Sequence, residues 1–359
     1  MSGTSLDGVD AVLAEWVSTQ MRCPVVLGHA HLPFTNTLRD ELVALCAPGE
    51  NEVVRVGLAS VALAKHYAQA VQALLQSTQH TSHDVRAIGC HGQTIRHHPA
   101  DGFSVQIGHA ALLAELTGID VVSDFRSRDI AAGGQGAPLL PAFHAVQFAD
   151  PTESRVVLNL GGIANVTLLP SQGIVSGFDT GPANGLMDAW IHAHLGCDFD
   201  RDGAWAAQGL CLPELLYALL EDPYFKRMPP KSTGREYFNL HWLNTFVHGD
   251  PRPIDVQATL LQLTAHSVAR SLNSQSPARP ARIIVCGGGA NNIALMAALQ
   301  TQVPDIQVES SRAYGIDPMH VEAAGFAWLA RATCMGEPGN LVAVTGAKGP
   351  RVLGSITPA

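Results

Sequence analysis

A strand, a glycine-rich loop and a second strand occur in the middle of the chain, and a shorter version of this pattern opens it. Residues 154–160 are typical of a buried strand, the chain turns at 161–164, and residues 165–169 form the returning strand. About 160 residues earlier, a Gly/Ser/Thr/Asp loop at 1–10 leads into a strand at 11–16. This recurrence predicts an α/β protein with two duplicated domains.

The composition is that of a globular chain and excludes several classes of protein. The 359 residues are 47% hydrophobic and 15% charged, which is too apolar for a disordered chain. The net charge of −9, without a Lys/Arg block, makes nucleic acid and membranes poor partners. Seven cysteines, an odd number without a Cys-x-x-Cys pair, predict reduced thiols in a cytoplasmic protein.

The stretch 177–184, Gly-Phe-Asp-Thr-Gly-Pro-Ala-Asn, contains one carboxylate, Asp179, among glycines. Residues 174–176 are typical of the end of a strand and 186–191 of the start of a helix, so we expect Asp179 at a strand-to-helix turn. Glycines there let a ligand approach, and the following helix N-terminus favours an anion. The alternative is a tight turn with Asp179 as a helix N-cap.

The opening loop contains Thr4, Ser5, Asp7 and Asp10. Backbone amides in a concave turn bind anions, so these residues are candidates to bind phosphate or to position Mg²⁺. The loop is not a P-loop, because no Gly-Lys-Ser/Thr follows and a strand replaces the helix. The alternative is an ordinary polar terminus.

Polar residues follow a predicted buried strand at 87–90. His91, Gln93, Thr94 and Arg96 lie just past its end, the position at which α/β sheets bind ligands. Their hydrogen-bonding side chains suit sugar hydroxyls or phosphate; the alternative is a surface loop.

Two arginines, Arg126 and Arg128, precede a Gly-Gly-Gln-Gly segment at 133–136. Guanidinium groups bind carboxylate or phosphate in a bidentate geometry, so both are candidates for an anionic ligand. A glycine-rich interdomain linker is the alternative for this stretch.

Two further features lie near the end of the chain. Gly287, Gly288 and Gly289 join a predicted strand at 282–286 to a helix and would let a ring lie against the backbone. Glu322 lies in the first turn of a helix predicted at 320–332, where it either stabilises the helix dipole or faces a cleft.

Hydrophobic periodicity predicts two long helices. The first, at 52–76, is expected to bury Val54, Leu58, Val61, Ala68, Val71 and Leu75. The second, at 255–272, is expected to bury Leu261, Ala265, Val268 and Leu272.

Six motifs together resemble the anhydro-N-acetylmuramic acid kinase family, in order over nearly the whole chain. They are residues 2–10, 91–94, 125–136, 159–165, 177–182 and 286–289. The resemblance implies two duplicated actin-like (ribonuclease-H-like) domains of the sugar-kinase superfamily, with a nucleotide and substrate cleft between them.

The resemblance also implies a reaction. Members use ATP to phosphorylate O6 of 1,6-anhydro-N-acetylmuramic acid while water opens the anhydro ring at C1. The products are N-acetylmuramic acid 6-phosphate and ADP, in the recycling of bacterial cell-wall peptidoglycan. The cofactors implied are ATP and Mg²⁺, and the expected location is the bacterial cytoplasm.

Site residues follow from matching this chain to the family's motifs. Asp179 is expected to be the general base and Glu322 to orient water or sugar. ATP is expected to contact Gly3, Thr4, Ser5, Leu6, Asp7, Gly8, Val9, Asp10, Gly161, Gly162, Gly287, Gly288 and Gly289. Mg²⁺ is expected at Asp7 and Asp10, and the sugar at His91, Gln93, Thr94, Arg126, Arg128, Gly181 and Asn184.

We expect an N-terminal domain at 1–124, a second domain at 125–335, and a C-terminal segment at 336–359 that returns to the first domain. Family members have a strand before the Ser-Gly-Thr-Ser loop, with which this chain begins, and we expect the C-terminal segment to complete that sheet.

The expected partners are the small-molecule sugar and ATP, with homodimers as a further expectation. The alternative function is a non-catalytic or chaperone-like nucleotide-binding protein of the actin fold. It would share the phosphate loops but would not need Asp179 or the polar residues at 91–94 and 126–128.

Overall fold

The computed structural model of the protein describes residues 1–3, 6–18, 23–275 and 279–359. The chain divides into two compact units. The first unit comprises Met1–Gln147 and Glu322–Ala359, and the second comprises Phe148–Val321.

The N-terminal part of the chain alternates strands and helices. Its elements are β1 (Gly8–Glu15), β2 (Val25–Pro33), α1 (Asn36–Leu45), α2 (Glu52–Thr78), β3 (Ile88–Gly89), β4 (Gln93–His98), β5 (Phe103–Ile107), α3 (Ala110–Thr117), β6 (Val121–Ser123), α4 (Ser127–Ala131) and α5 (Leu140–Phe148). β1 and β2 form an antiparallel ribbon, β4 and β5 form a second, and β3 runs parallel to β6.

The remaining elements belong mostly to the second unit, and the last ones return to the first. They are β7 (Arg155–Leu160), β8 (Ile163–Leu169), β9 (Ser176–Pro182), α6 (Asn184–Leu195), α7 (Pro213–Leu220), α8 (Pro223–Lys226), α9 (Leu240–Asn244), α10 (Pro253–Gln275), β10 (Arg282–Cys286), α11 (Ile293–Gln302), β11 (Gln307–Ser310), α12 (Val321–Met335), α13 (Val342–Thr345) and β12 (Ser355–Thr357).

The second unit contains one five-stranded sheet, in the order β11-β10-β7-β8-β9. β7, β8 and β9 form an antiparallel ribbon, while β10 and β11 run parallel to β7. β7 is the central strand, and its valines and leucines are buried on both faces, as the centre of a covered sheet requires.

Both units contain an antiparallel ribbon followed by parallel strands. The ribbon is β1–β2 in the first unit and β7–β8–β9 in the second, and the parallel strands are β3 and β6, and β10 and β11. The predicted α/β class with a repeated architecture is confirmed.

The boundaries of the compact units differ from those expected from the sequence, which were 124 and 335. Helix α12 packs on α5 at Gly325, where a Cβ would lie 2.4 Å from Leu140 and 3.2 Å from Phe143. This close contact places α5 and α12 together in the first unit, so residues 125–147 and 322–335 belong there.

The C-terminal segment joins the sheet of the first unit through β12. β12 pairs antiparallel with β6, with Ser355 opposite Ser123. In the part of the chain that the structure describes, β1 pairs with β2 and not with β12.

The buried faces predicted for the two long helices have different outcomes in the structure. The predicted buried face of α10 is confirmed, since Leu261, Ala265, Val268 and Leu272 are all buried. Of the face predicted for α2, Ala68 is buried as expected, Val61, Val71 and Leu75 are half-buried, and Val54 and Leu58 are exposed, so the prediction is wrong at the start of the helix. The helix also buries Ala59, Leu63, Ala64, Tyr67, Ala70 and Leu74. Val54 and Leu58 suggested the wrong buried face at the start of α2, because the helix buries its alanine-rich side.

Among the described residues, no helix is both long enough and apolar enough to cross a lipid bilayer.

Candidate active site

Asp179 lies inside strand β9, which runs from Ser176 to Pro182. The predicted strand-to-helix turn at Asp179 is therefore wrong. Hydrogen bonding to β8 extends the strand through the glycines, and a bulge between Ala164 and Asn165 places Asn165 opposite Asp179. A bulge re-aims the side chains beside it and is frequent next to active sites.

Three groups from a later part of the chain surround Asp179. The backbone N–H of Thr233 donates to its Oδ2 at 3.0 Å, and the hydroxyl of Tyr224 donates to its backbone carbonyl at 2.8 Å. Its own N–H donates to the carbonyl of Lys231 at 3.2 Å. These contacts fix both the backbone and the carboxylate of Asp179.

The carboxyl group of Asp179 ionises close to neutral pH. Burial raises its pKa from the ordinary value to about 6, while the Thr233 N–H and the positive charge of Lys231 act in the opposite direction and Glu236 adds to the rise. A carboxylate with a pKa near the working pH is well matched to the role of general base.

Lys231 is a buried cation beside Asp179. It is 9% exposed, and its Nζ has no hydrogen-bond partner in the described part of the chain. The ammonium lies 4.9 Å from the ring centroid of Tyr224, within the range of a cation–π contact. Burial lowers its pKa, and Asp179 acts to raise it.

Sequence reasoning missed Lys231 and Thr233. The segment 231–234, Lys-Ser-Thr-Gly, is short and polar, but its separation from Asp179 along the chain gives no sign of contact. Only the fold brings the two together.

The first N–H groups of helix α6 are not available to an anion. Those of Ala183 and Gly185 donate to the carbonyl of Gly162 at 3.1 Å each, and that of Asn184 donates to Gly161 at 3.0 Å. The anion site expected at this helix N-terminus is therefore wrong, because the β7–β8 turn already occupies its donors.

Asn184 links the two glycine-rich loops of the second unit. Its Nδ2 donates to the carbonyl of Leu160 at 2.8 Å, and a Cβ on Gly289 would lie 3.1 Å from its Oδ1. Gly161–Gly162 and Gly287–Gly289, separated in sequence, thus lie close together around this amide.

Gly181 is a packing residue. A Cβ at this position would lie 2.7 Å from Cε1 of Phe225, so the ring needs the space that the glycine leaves. Phe225 therefore accounts for the glycine without a ligand.

In the first unit, the opening loop contacts the motif that begins at His91. Ser2 Oγ is 2.8 Å from the hydroxyl of Tyr67 and donates to the carbonyl of Gly92 at 3.3 Å. Gln93 Nε2 donates to the carbonyl of Gly3 at 3.2 Å. The predicted phosphate loop and the predicted sugar motif therefore meet; Thr4 and Ser5 lie outside the described residues.

Three of the residues assigned to ATP in this loop also have packing roles. Leu6 and Val9 belong to the hydrophobic core of the first unit. A Cβ on Gly8 would lie 2.6 Å from the carbonyl oxygen of Leu32 on β2. The side chains of Leu6 and Val9 are thus taken up by packing, and Gly8 lies against β2.

The two carboxylates assigned to Mg²⁺ differ in their surroundings. Asp7 is exposed at the end of the loop. Oδ1 of Asp10 lies 2.9 Å from Nδ1 of His31 and 3.6 Å from Nε2 of His29. In the described part of the chain, no group of three His, Cys, Asp or Glu side chains is arranged to hold a metal ion by itself.

The buried His91 and the half-buried Arg126 form a hydrogen-bonded pair. Arg126 Nη2 donates to His91 Nε2 at 2.7 Å, and Nδ1 of His91 is 2.7 Å from the carbonyl of Gly92. Since a carbonyl only accepts, the ring is neutral with its proton on Nδ1. Burial and the Arg126 charge both hold the pKa of His91 well below its usual range.

One nitrogen atom of the Arg126 guanidinium has no hydrogen-bond partner among the described residues. Its Nη1 donates to the carbonyl of Gly136 at 2.7 Å, whereas its Nε is buried without a partner in the described part of the chain. Burial lowers its pKa to about 10, and Glu322, at the start of α12, acts to raise it. Arg126, His91 and Glu322 are thus brought into one electrostatic cluster.

The other predicted sugar residues are placed less favourably. Gln93 and Thr94 lie on strand β4 and not in a loop, and Thr94 Oγ1 accepts from Gln106 at 3.1 Å. Arg128 is exposed on α4. A cavity of about 280 Å³ lies beside His91 and is lined by residues including Gln106 and Ser127.

Comparison with known proteins points to one family. Residues 1–359 match the family model described as anhydro-N-acetylmuramic acid kinase. A protein of that name from Thiobacillus denitrificans is 54% identical over 363 residues, covering 100% of this chain and 96% of the relative. One from Pseudomonas syringae pv. tomato is 52% identical over 361 residues, covering 100% and 98%.

Solved structures resemble the chain more distantly. Component A of (R)-2-hydroxyglutaryl-CoA dehydratase from Acidaminococcus fermentans is 11% identical, with a TM-score of 0.42, covering 89% of this chain and 96% of that one. This similarity is too low to carry an argument.

The raised pKa of Asp179 predicts that Asp179→Asn stabilises the fold at pH 8. The ionised carboxylate is disfavoured in the folded state, so removing its charge should gain about 2 kcal/mol after allowance for solvent screening. The gain should shrink as the pH falls from about 6 towards the ordinary pKa of 3.8, and should be lost below that pH, where the wild-type carboxyl is protonated in both states. Chemical denaturation across this pH range measures it.

Asp255→Asn is the matched control. Arg252, and then the Leu210 N–H, lower the pKa of Asp255, so this variant should lose stability at pH 8. A destabilised Asp179→Asn protein with the same deficit at pH 4 and pH 8 would contradict the account of Asp179.

Proposed function

The chain belongs to the anhydro-N-acetylmuramic acid kinase family, whose members are phosphotransferases with an alcohol group as acceptor, and we propose how its residues carry out the reaction. In this proposal the protein consumes ATP and water, opens the anhydro ring of 1,6-anhydro-N-acetylmuramic acid and phosphorylates O6. The observation that supports it best is the half-buried carboxyl group of Asp179, which has a pKa of about 6.

Asp179 acts as the general base. It removes a proton from the water that attacks C1, and the C1–O6 bond breaks as the new C1–O bond forms. The electron pair of the broken bond stays on O6, which accepts the γ-phosphoryl group of ATP. ADP leaves, and the proton on Asp179 is released to solvent. Phosphoryl transfer of this kind depends on positioning and charge neutralisation more than on covalent help.

The opening loop binds the phosphates of ATP through its backbone. Its apolar side chains, Leu6 and Val9, are buried, and Gln93 holds the carbonyl of Gly3. These contacts hold Gly3, Leu6 and Val9 in place, which lowers the entropy cost of binding phosphate to the backbone at these positions.

Two glycines of the second unit line the nucleotide. A Cβ on Gly161 would approach nothing closer than 3.7 Å, and one on Gly288 nothing closer than 3.6 Å. Packing therefore does not explain these glycines, and the close approach of a ligand does. By contrast, Gly287 and Gly289 are also required by the contacts around Asn159 and Leu160.

The residues at the opening loop fit Mg²⁺. Carboxylate oxygens are the ligands that Mg²⁺ prefers, and the cation usually keeps several waters and binds through one or two carboxylates and the substrate phosphates. Asp7 is exposed at the loop, and Asp10 has one oxygen beyond the one near His31. Mg²⁺ bound there would neutralise charge on the phosphates of ATP.

Arg126 is our principal sugar ligand, because its buried Nε has no hydrogen-bond partner among the residues that the structure describes. It is proposed to bind the lactyl carboxylate, with Glu322 beside it orienting water or sugar and His91 holding the guanidinium. Gln93, Thr94 and Arg128 are proposed as further sugar contacts. At Gly181 and Asn184, contacts within the protein account for the residue type without a sugar.

The alternative, a nucleotide-binding protein without phosphotransfer, is not favoured by the family membership. We propose a cytoplasmic enzyme of peptidoglycan recycling that acts on small molecules, with the homodimer as its assembly.

Asp179→Asn is expected to lower sugar-dependent turnover by about 10²–10⁴-fold, because it removes the base and keeps the shape. The dissociation constant for ATP should change by less than about twofold, since the nucleotide contacts are elsewhere. ADP release and calorimetric ATP titration measure the two quantities.

Asp255→Asn, a buried carboxylate outside the proposed site, is the control and should retain turnover. Loss of ATP binding in Asp179→Asn would instead assign Asp179 to the nucleotide or its metal.

Chelation of divalent cations is expected to stop sugar-dependent ADP release, and added Mg²⁺ should restore it. The phosphates of ATP would otherwise keep their charge during transfer. Undiminished turnover in excess chelator would exclude the Mg²⁺ role.

A further inference from the structure

Asp129 is a buried carboxylate that lies within the motif at 125–136 and has no role in the proposed mechanism. It lies on α4 and is 0% exposed. Gly136 N–H donates to its Oδ2 at 2.8 Å, and Asn340 Nδ2 and Thr345 Oγ1 each donate to its Oδ1 at 2.7 Å. Hydrogen bonds to an ionised group are stronger than neutral ones, and a buried charge needs them.

These contacts fasten the C-terminal segment to the loop at 133–136. The backbone contributes as well: Gln135 N–H donates to Thr345 at 2.8 Å, and Lys348 N–H donates to Ala132 at 2.8 Å. The loop is shaped to the carboxylate, because a Cβ on Gly134 would lie 2.2 Å from Asp129 Oδ2.

Gly136 connects this network to the sugar cluster. Its N–H is held by Asp129, and its carbonyl accepts from Nη1 of Arg126 at 2.7 Å. The guanidinium is planar, so this bond and the one to His91 together fix its orientation and the direction of its unpartnered Nε.

We propose that Asp129 is a positioning residue, which sets the orientation of Arg126 without touching the substrate. Asn340 and Thr345 of the C-terminal segment hold its carboxylate, and Gly136 transmits the constraint. The inference rests on the proposed function, in which Arg126 binds the anionic group of the sugar.

Thr345→Val is a conservative test of the network, because valine keeps the shape of threonine and removes one donor to Asp129. We expect the KM for the sugar to rise about three- to tenfold, as the loss of one charge-assisted hydrogen bond loosens Arg126. The KM for ATP and kcat should stay within about twofold, since neither depends on the orientation of Arg126. Thr345→Ser, which keeps the hydroxyl, should behave like the wild type.

Thr117→Val is the matched control within the same unit. Its hydroxyl donates to Leu113 at 2.8 Å in α3, away from the Asp129 network. Both valine variants lose one hydrogen bond, so a rise in the sugar KM common to both would be a general effect of destabilisation and would overturn the proposal.

A readout independent of catalysis is the ¹⁵N resonance of His91 Nε2, which accepts from Arg126. We expect this resonance to shift in Thr345→Val and not in Thr117→Val or Thr345→Ser. An unchanged resonance and an unchanged sugar KM would overturn the proposal. A shifted resonance with an unchanged sugar KM would support the positioning role of Asp129 and would overturn the proposed role of Arg126 as a sugar ligand.

The two levels of inference fail separately. If the wild-type protein released no ADP in response to the sugar, the proposed function would fail, whereas the resonance of His91 would still report whether Asp129 positions Arg126.

Discussion

The proposed chemistry depends on one carboxylate that is partly withdrawn from water and still ionises near neutral pH. Burial raises the pKa of Asp179, and the segment 231–233 opposes this rise with a backbone N–H and a buried ammonium. The ammonium of Lys231 is itself costly to bury and lies against the ring of Tyr224, which also holds the backbone of Asp179. Asp179, Lys231 and Tyr224 therefore form one connected cluster.

Glycines have two distinct roles in this fold, and the distinction shows which of them are candidates to contact a ligand. At Gly181, Gly185 and Gly325 a side chain would collide with Phe225, the Gly162 backbone or Leu140, so packing requires the glycine. At Gly161 and Gly288 no such contact exists in the described part of the chain, and ligand approach is the better explanation. The same consideration shows why the N-terminus of α6 is a poor anion site: the turn that packs on it has taken its donors.

The sequence predicted the α/β class, the order of most strands and helices and the family, because buried β-branched runs and long motifs are local signals. It placed Asp179 in a turn, since the pairing with β8 that makes β9 a strand is not visible locally. It missed Lys231 and Thr233 for the same reason, and it missed Asp129, whose partners Asn340 and Thr345 are more than 200 residues away. Contacts between distant segments decide these sites, and single-sequence patterns do not report them.

The most direct measurement is ADP release by the purified wild-type protein, with and without 1,6-anhydro-N-acetylmuramic acid, with the phosphorylated product followed by ³¹P NMR. The account predicts ADP release that requires the sugar and one phosphomonoester formed for each ADP. Two results would contradict the assignment of this chain as a kinase that opens the anhydro ring. One is ADP release at the same rate without the sugar; the other is the formation of inorganic phosphate, instead of a phosphomonoester, together with ADP.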